Sequence, residues 1–435
     1  MRLGKQMENK RLLVISRAPW IDDNSTGATL TEFFSDFAKF DIYGLCLREA
    51  PVVTSICKKN FYISEGQIVK SLFHKTSVGK LTEDKDVNTK HQQREYVVYK
   101  RAKKLNLTIF QFFREALWGT GIWKNDNLNN YLTEVNPDVI FFPDFPCVYA
   151  HKVLKYVKNK TNAKVAIFHA DDCYTLKQFS ISPLYWLFRF YQRKWVKSSV
   201  NLADLHYVIS DVQKKDYDRA FHVNNKLLTK FGNFNGKPSL KSEFNKPLQI
   251  VYTGNIGLNR WKSLAIIVDA LKMINKDEVR AELIIYTANE ITKPIKKALD
   301  VPYCSRIMGK VPASEVPAIQ NAADILVHVE AFDLKNRLTV RQSFSTKIVD
   351  YFKRGRAILA VGPSEVASIK HLIDNDCAIV VDSCNDLAEK LNVVIEDNEQ
   401  LNEYAEKAYE CGKRLHNRKD MLKMLYDDLN CLVGK

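Results

Sequence analysis

An α/β architecture of two doubly wound halves is what this 435-residue sequence predicts. Three observations predict it. Short apolar runs alternate with helix-length stretches along most of the chain, the pattern of parallel strands joined by crossover helices. The alternation stops at a polar, breaker-rich segment near residue 235 and then restarts. The chain is also 46% apolar and 26% charged, so it can bury sizeable cores.

Taken in order, the first half opens on the apolar run Arg11–Ser16, too short for a signal-peptide core and better read as a strand. The polar turn Asp22-Asp23-Asn24-Ser25-Thr26-Gly27 follows, with a helix expected from Ala28. Residues 70–124 break the scheme. They are polar and charged over 71–104 and aromatic over 109–118, and they read as a helical insertion. Prolines 137 and 143 bracket the buried run Val139–Phe142, and Lys164–His169 and Leu205–Ser210 repeat that form, each ahead of a helical stretch. Residues 1–235 therefore make one domain and 236–247 a linker. The second domain, 248–410, supplies strand Leu248–Tyr252, helix Leu264–Ile274, and strands at Ala281–Tyr286, Ile325–Val329 and Ala357–Val361. Leu401, Tyr404, Ala405 and Ala408 fall at helical spacing. Residues 411–435 are expected to form a helix packing back toward the first domain.

Composition excludes several classes. No apolar run approaches the ~18 residues of a membrane-spanning helix. The nine cysteines are odd in number and show no CxxC spacing, which points to a reduced, cytoplasmic protein without a zinc or redox site. The net charge of +15 favours a polyanionic partner but does not choose among nucleic acid, anionic lipid and a phosphate-bearing substrate. Tyr185–Lys197 carries four cations, six aromatics and no acid. That mixture suits an anionic membrane surface, a nucleic-acid surface, or a core helix with a basic outer face. Ile109–Lys124 is a second stretch of the kind.

Ligands of open parallel sheets bind at the carboxyl ends of the strands, so chemistry is sought in the turns that follow them. After Leu248–Tyr252 come Gly254 and Gly257, which allow close approach, then Arg260 and Lys262, which supply charge. An ordinary glycine turn would read the same. Further on, Ser345 or Thr346 can cap a helix running from Lys347 to Arg354 and ended by Gly355. Its unpaired N–H groups and Lys347 would suit a phosphate, and Asp350 lies one turn on, placed to accept hydroxyl hydrogen bonds. A capped surface helix is the plainer alternative. Asp171-Asp172 and Asp216-Tyr217-Asp218 invite a divalent-metal reading, but fifty acidic residues produce such pairs by chance.

Together, Gly254–Lys262, Ala322–Val327 and Ser345–Ala360 resemble the nucleotide-sugar half of the GT-B glycosyltransferases, family 4 above all. The resemblance spans most of 248–395. It continues more weakly through 11–235, where Pro137–Phe142, Val165–His169, Ala203–Ser210 and Lys230–Asn233 are similar to the family's strands. It implies two Rossmann-like domains facing across a cleft, and retaining transfer of a sugar from a nucleotide-sugar donor to a glycan or lipid-linked saccharide acceptor. Bacterial surface polysaccharide assembly is the implied setting, with the protein peripheral at the inner face of the membrane. No cofactor, required metal or nucleic-acid partner is expected. Residue by residue, it implies that Arg260 and Lys262 neutralise the donor diphosphate. Gly254, Asn255, Ser345, Thr346 and Lys347 would bind the donor, and Gly27 would let the start of the first-domain helix meet the donor phosphate or the acceptor. Asp350 matches the second acid of the family's E-x7-E element, which holds the ribose hydroxyls. The first acid falls at Gln342, a departure for which Glu330 offers a substitute contact to the donor sugar. His169 matches the histidine that faces that sugar. A non-catalytic protein of the same fold that binds polyanions or a membrane, and a sugar-nucleotide epimerase, are the rival readings.

Overall fold

A computed structural model describes residues 9–17, 20, 25–48, 56–74, 76–82, 108–383 and 386–434. Its first sheet is built from β1 (Lys10–Ser16), β2 (Phe40–Cys46), β3 (Lys59–Tyr62), β4 (Lys80–Leu81), β5 (Val139–Pro143), β6 (Lys164–His169), β7 (Leu205–Val208) and β8 (Lys226–Leu227). Their order is β4-β3-β2-β1-β5-β6-β7-β8, and only the β3–β4 pair is antiparallel. The second sheet holds β9 (Leu248–Thr253), β10 (Ala281–Tyr286), β11 (Ser305–Gly309), β12 (Ile325–Val329), β13 (Ala357–Val361) and β14 (Ile379–Val381). It is parallel throughout, in the order β11-β10-β9-β12-β13-β14.

This strand order decides where ligands can sit. The chain builds outward from β1 to β4 and then returns to lay β5 on the other side of β1. In the second sheet it builds outward from β9 to β11 and returns to lay β12 beside β9. Crossovers leaving two neighbouring strands in opposite directions open a crevice at their carboxyl ends. One crevice lies beyond β1 and β5, the other beyond β9 and β12.

Both faces of each sheet are covered, which is why the central strands read as unbroken apolar runs. Every residue of β5, β12 and β13 is buried. On one face of the first sheet Ile68, Trp118, Leu132, Val153 and Val196 bring down five helices: Glu65–His74, Thr108–Gly119, Asp126–Val135, Val148–Lys160 and Pro183–Leu202. On the other, Phe33 and Phe34 from Ser25–Phe34 meet Phe141 and Phe168 in edge-on contacts. Aromatic pairs of this kind contribute about 0.5–1.5 kcal/mol each beyond their burial. The same face is closed by Arg418–Val433, through Leu425 and Leu429.

Several elements differ in extent from the sequence reading. The first helix starts at Ser25, so Gly27 lies in its first turn, buried, and does not form a preceding glycine turn; residues 22–24 lie outside the described ones. Of the inserted region, 83–107 also lies outside them. Helix Asn398–Leu415 runs straight through position 411, and the chain leaves the second lobe only at His416-Asn417.

The lobes are therefore joined at two places that touch. Gly232 donates its N–H to the His416 carbonyl (2.9 Å) and accepts from the Arg418 N–H (2.9 Å). Polar contacts add to this tie. Ser210 Oγ donates to the Gln342 carbonyl (2.6 Å), Ser343 Oγ to Asp171 Oδ1 (3.1 Å), and Lys230 Nζ to Asp350 Oδ2 (3.0 Å).

Candidate functional site

The crevice beyond β9 and β12 gathers the charged groups. After Thr253 the chain turns through Gly254, at φ 149°, where a Cβ would lie 2.3 Å from Lys347 Nζ. The backbone angle favours glycine there, and the tip of Lys347 fills the space a side chain would take. Asn255 closes the turn on itself, its Oδ1 accepting from the Gly257 N–H (2.6 Å) and its carbonyl from the Tyr252 hydroxyl (2.6 Å). Leu258 and Asn259 follow in the left-handed region, and Arg260 begins helix Arg260–Ile274.

Arg260 faces the end of β12. Its Nε and Nη2 donate to Glu330 Oε2 and Oε1 at 2.9 and 3.1 Å, a two-pronged pair on a buried carboxylate. Ser263 Oγ fixes the same residue through its carbonyl (2.7 Å). Lys347 arrives from the far side, 3.3 Å from the Tyr252 hydroxyl and 4.6 Å above its ring. Burial, and then the neighbouring charge of Arg260, push its ammonium down to about 8. His328, on β12 two residues before Glu330, is buried with neither ring nitrogen hydrogen-bonded, and its Nε2 lies 3.6 Å from Glu330 Oε1. Burial, with Lys347 and Arg260 close by, holds this imidazole neutral, well below the ordinary histidine range.

The structure thus brings Gly254, Arg260, Glu330 and Lys347 together. Lys262 is not with them: it is exposed, its ammonium over the Trp261 ring (5.7 Å). The phosphate-segment helix covers Thr346–Phe352, two turns that stop short of Arg354, and the expected side-chain cap is not formed. Ser345 stands at the capping position, but its own N–H is taken by Ser368 Oγ (2.9 Å), while Thr346 is exposed. A helix this short leaves Lys347 as the main source of positive potential at that end.

Asp350 is shared. Lys230, from the first lobe, and Lys353 (2.9 Å) both reach its carboxylate. Burial works against ionisation, yet those two ammonium groups hold its pKa below the ordinary value. Gln342 turns away to the first lobe: its Nε2 donates to Asp216 Oδ2 (2.7 Å), a carboxylate that Arg341 also grips.

His169 ends β6 beside the first sheet's crevice. It is buried, and its Nδ1 lies 2.7 Å from Asp144 Oδ2, just past β5. His151 Nε2 is 3.2 Å from the other oxygen, and His151 Nδ1 is 2.8 Å from Ser199 Oγ. Full burial would raise the Asp144 carboxyl, but His169 and His151 hold it well below the ordinary range. Asp144 and His328 went unnoticed in the sequence. Asp144 directly follows a buried strand at a switch point, and His328 is a polar residue near the carboxyl end of an otherwise apolar strand, two positions before Glu330. Those are the signals that would have found them.

The acidic pairs take protein partners. Arg189 Nη2 (2.9 Å), the Thr175 N–H (2.7 Å) and Gln178 Nε2 (3.1 Å) donate to Asp172, while Lys214 pairs with Asp218. Two of the four cations of Tyr185–Lys197 consequently point inward. Arg189 is buried on Asp172 and the Thr175 carbonyl, and Arg193 lies over the Tyr174 ring (4.0 Å), leaving Lys194 and Lys197 exposed.

Solved structures match this arrangement along nearly the whole chain. Alr3699/HepE of Anabaena, in complex with UDP, superposes with a TM-score of 0.63 at 11% identity, over 97% of this chain and all of that one. The sucrose-phosphate synthase of Thermosynechococcus elongatus gives 0.62 at 11% identity, over 98% and 100%. The fold is GT-B. A glycosyltransferase from Rickettsia africae shares it, with a TM-score of 0.58 at 11% identity over 98% and 99%. No protein-family profile matches the sequence, and neither does any curated protein. In GT-B terms the charged crevice belongs to the second lobe, and Asp350 and Gln342 reach across to the first.

Proposed function

We propose that this chain is a retaining glycosyltransferase that moves a sugar from a nucleotide-sugar donor to a glycan or lipid-linked saccharide acceptor. The carrying observation is Lys347 lying against the bare backbone of Gly254 at the second sheet's switch point, with Arg260 near enough to depress the pKa of its ammonium. Two cations beside a turn that carries no side chain at Gly254 suit a diphosphate. Their charge takes the place of a divalent metal in this reading. Solution of the Anabaena relative with UDP and with UDP-glucose supports uridine donors as the first to test.

The chemistry follows from which groups can carry charge. As the sugar–phosphate bond breaks, negative charge grows on the departing phosphate, and Arg260 and Lys347 are already positioned to stabilise it. The phosphate takes the acceptor's proton on the same face of the sugar, so configuration is kept. His169, oriented by Asp144, steadies the reacting sugar. Asp350 accepts from the ribose hydroxyls, and the Arg260–Glu330 pair keeps the guanidinium aimed. Surface polysaccharide assembly at the inner face of a bacterial membrane is the proposed setting.

Thermal shift against a panel of nucleotide sugars, followed by product analysis of the anomeric centre, tests the reading. Lys347→Ala is expected to weaken nucleotide binding by about 1.5–3 kcal/mol, the range of charge-assisted hydrogen bonds. Unchanged affinity in a folded variant would remove this crevice as the donor site.

A further inference from the structure

The first lobe carries a second basic site, far from the crevice in role and built differently. Between helices Val148–Lys160 and Pro183–Leu202 and the turn after Thr108–Gly119 lies an open pocket of about 400 Å³. Lys124, Lys152 and Lys155 line it together with Trp123, Tyr156 and Trp195. Each ammonium is braced on a ring: Lys124 over Trp123 (5.3 Å) and Tyr156 (5.7 Å), Lys152 over Trp195 (5.6 Å), and Lys155 over Trp195 (6.0 Å). Among the described residues none of the three has a carboxylate within ion-pair distance. The acid closest in effect, Glu115, lends some field to Lys152 but is buried, with Oε1 accepting from the Val148 N–H (2.8 Å). Three braced, unpaired cations with no lining acid make a receptor for an anionic group.

The surroundings decide what carries that group. Helix Glu65–His74 packs on Thr108–Gly119, which packs in turn on Pro183–Leu202, with Phe112 meeting Phe188 edge-on at 5.2 Å. Their outer faces expose Phe73 (77%), Phe113 (65%), Leu187 (60%) and Phe190 (56%), with Leu72 and Phe110 beside them. The exposed cations are Lys70, Lys194 and Lys197. Only two carboxylates occur in the three helices, Glu65 and Glu115. Glu65 accepts from Trp118 Nε1 and Glu115 is buried, so among the described residues the outer faces hold no fully exposed acid. Apolar side chains ringed by lysines and free of acids match an anionic bilayer in both hydrophobicity and charge.

We infer that this three-helix face docks on an anionic phospholipid bilayer, and that the Lys124–Lys152–Lys155 pocket takes a lipid phosphate headgroup while Phe113, Leu187 and Phe190 enter the acyl boundary. The inference rests on the membrane placement proposed above and is independent of the donor chemistry.

Sedimentation with vesicles of phosphatidylglycerol and phosphatidylcholine tests it on the full chain. Wild type should bind phosphatidylglycerol vesicles over pure phosphatidylcholine ones, and binding should weaken as salt rises. K124Q/K152Q/K155Q should lower that affinity on the order of a hundredfold, from roughly fivefold per lysine near an anionic surface. F113S/L187S should remove the part that survives high salt. If the triple variant loses its fold, K155Q alone, at an exposed position, carries the test at about fivefold. Wild type that ignores both vesicles overturns the membrane placement and the site together. Wild-type-like binding by the lysine variants overturns the site alone. Release from vesicles by inorganic phosphate at constant ionic strength reassigns the pocket to soluble anions and also overturns the inference. Nucleotide-sugar turnover without acceptor should be the same in all these variants, so loss of the transferase reading would show separately.

Discussion

Lys347 is held where an ammonium is poorly solvated, beside Arg260 and against an aromatic ring, and it titrates near 8 instead of its usual 10.5. Two consequences follow, of known sign. Between those values the unfolded chain holds the proton more tightly than the folded one, so this lysine adds stability as pH rises across that window. Donor binding runs the opposite way: a diphosphate needs the protonated form, so UDP affinity should fall as pH rises from 7 to 9.5. Calorimetry at pH 8.5 in buffers of different ionisation enthalpy should reveal proton uptake on binding. Lys347→Arg should flatten the pH dependence, and an unaltered profile in that variant would assign the titration elsewhere. At this scale the sequence was legible where glycine, cation and strand end follow one another, as at Gly254 and Arg260. It was silent where partners are far apart. Arg189 reads as a surface cation until Asp172, 17 positions away, is found beneath it, and Gln342 meets Asp216 across 126.

At the level of elements, β5, β6, β10, β12 and β13 were plain in the sequence because each is a buried apolar run between breakers. Strands β4 and β8 are two residues long and have no period to read; their pairing depends on neighbours already in place. The phosphate-segment helix lies where the sequence put it but ends two residues sooner, and the hydroxyl of Ser345 at its capping position makes no capping bond. Helix Arg418–Val433 is anchored by Leu425 and Leu429 on the strands, by Asp428 accepting from the Tyr207 hydroxyl (2.9 Å), and by Asn430 accepting from Lys10 (2.7 Å). Leu425→Ala should therefore destabilise the first lobe by about 2–5 kcal/mol, the range for a leucine removed from a packed core. Urea denaturation followed by tryptophan fluorescence measures it, and a loss under 1 kcal/mol would mean that the helix is loosely held.

Taken whole, the molecule is two lobes whose relative position rests on few polar groups, of which Asp216 is the most heavily used. Arg341, Gln342 and Lys177 all direct donors at its carboxylate. Burial opposes its ionisation, but these partners keep its pKa below 3.8, so the tie is full above that pH and weakens below it. Asp216→Asn should loosen the lobes, seen as a larger radius of gyration in solution scattering and faster proteolysis within 233–245. Unchanged scattering would leave Lys230–Asp350 and the Gly232–His416 backbone pair as the operative ties. The path of the chain carries one more consequence. Lys10 and Asn430 are in contact although 420 positions separate them. A ribosome making this protein must therefore finish almost the entire second lobe before the first can be closed. Until then the part of the Leu12, Val14 and Phe141 cluster that Leu425 and Leu429 will cover stays open on the nascent chain, exposed to chaperones and to aggregation.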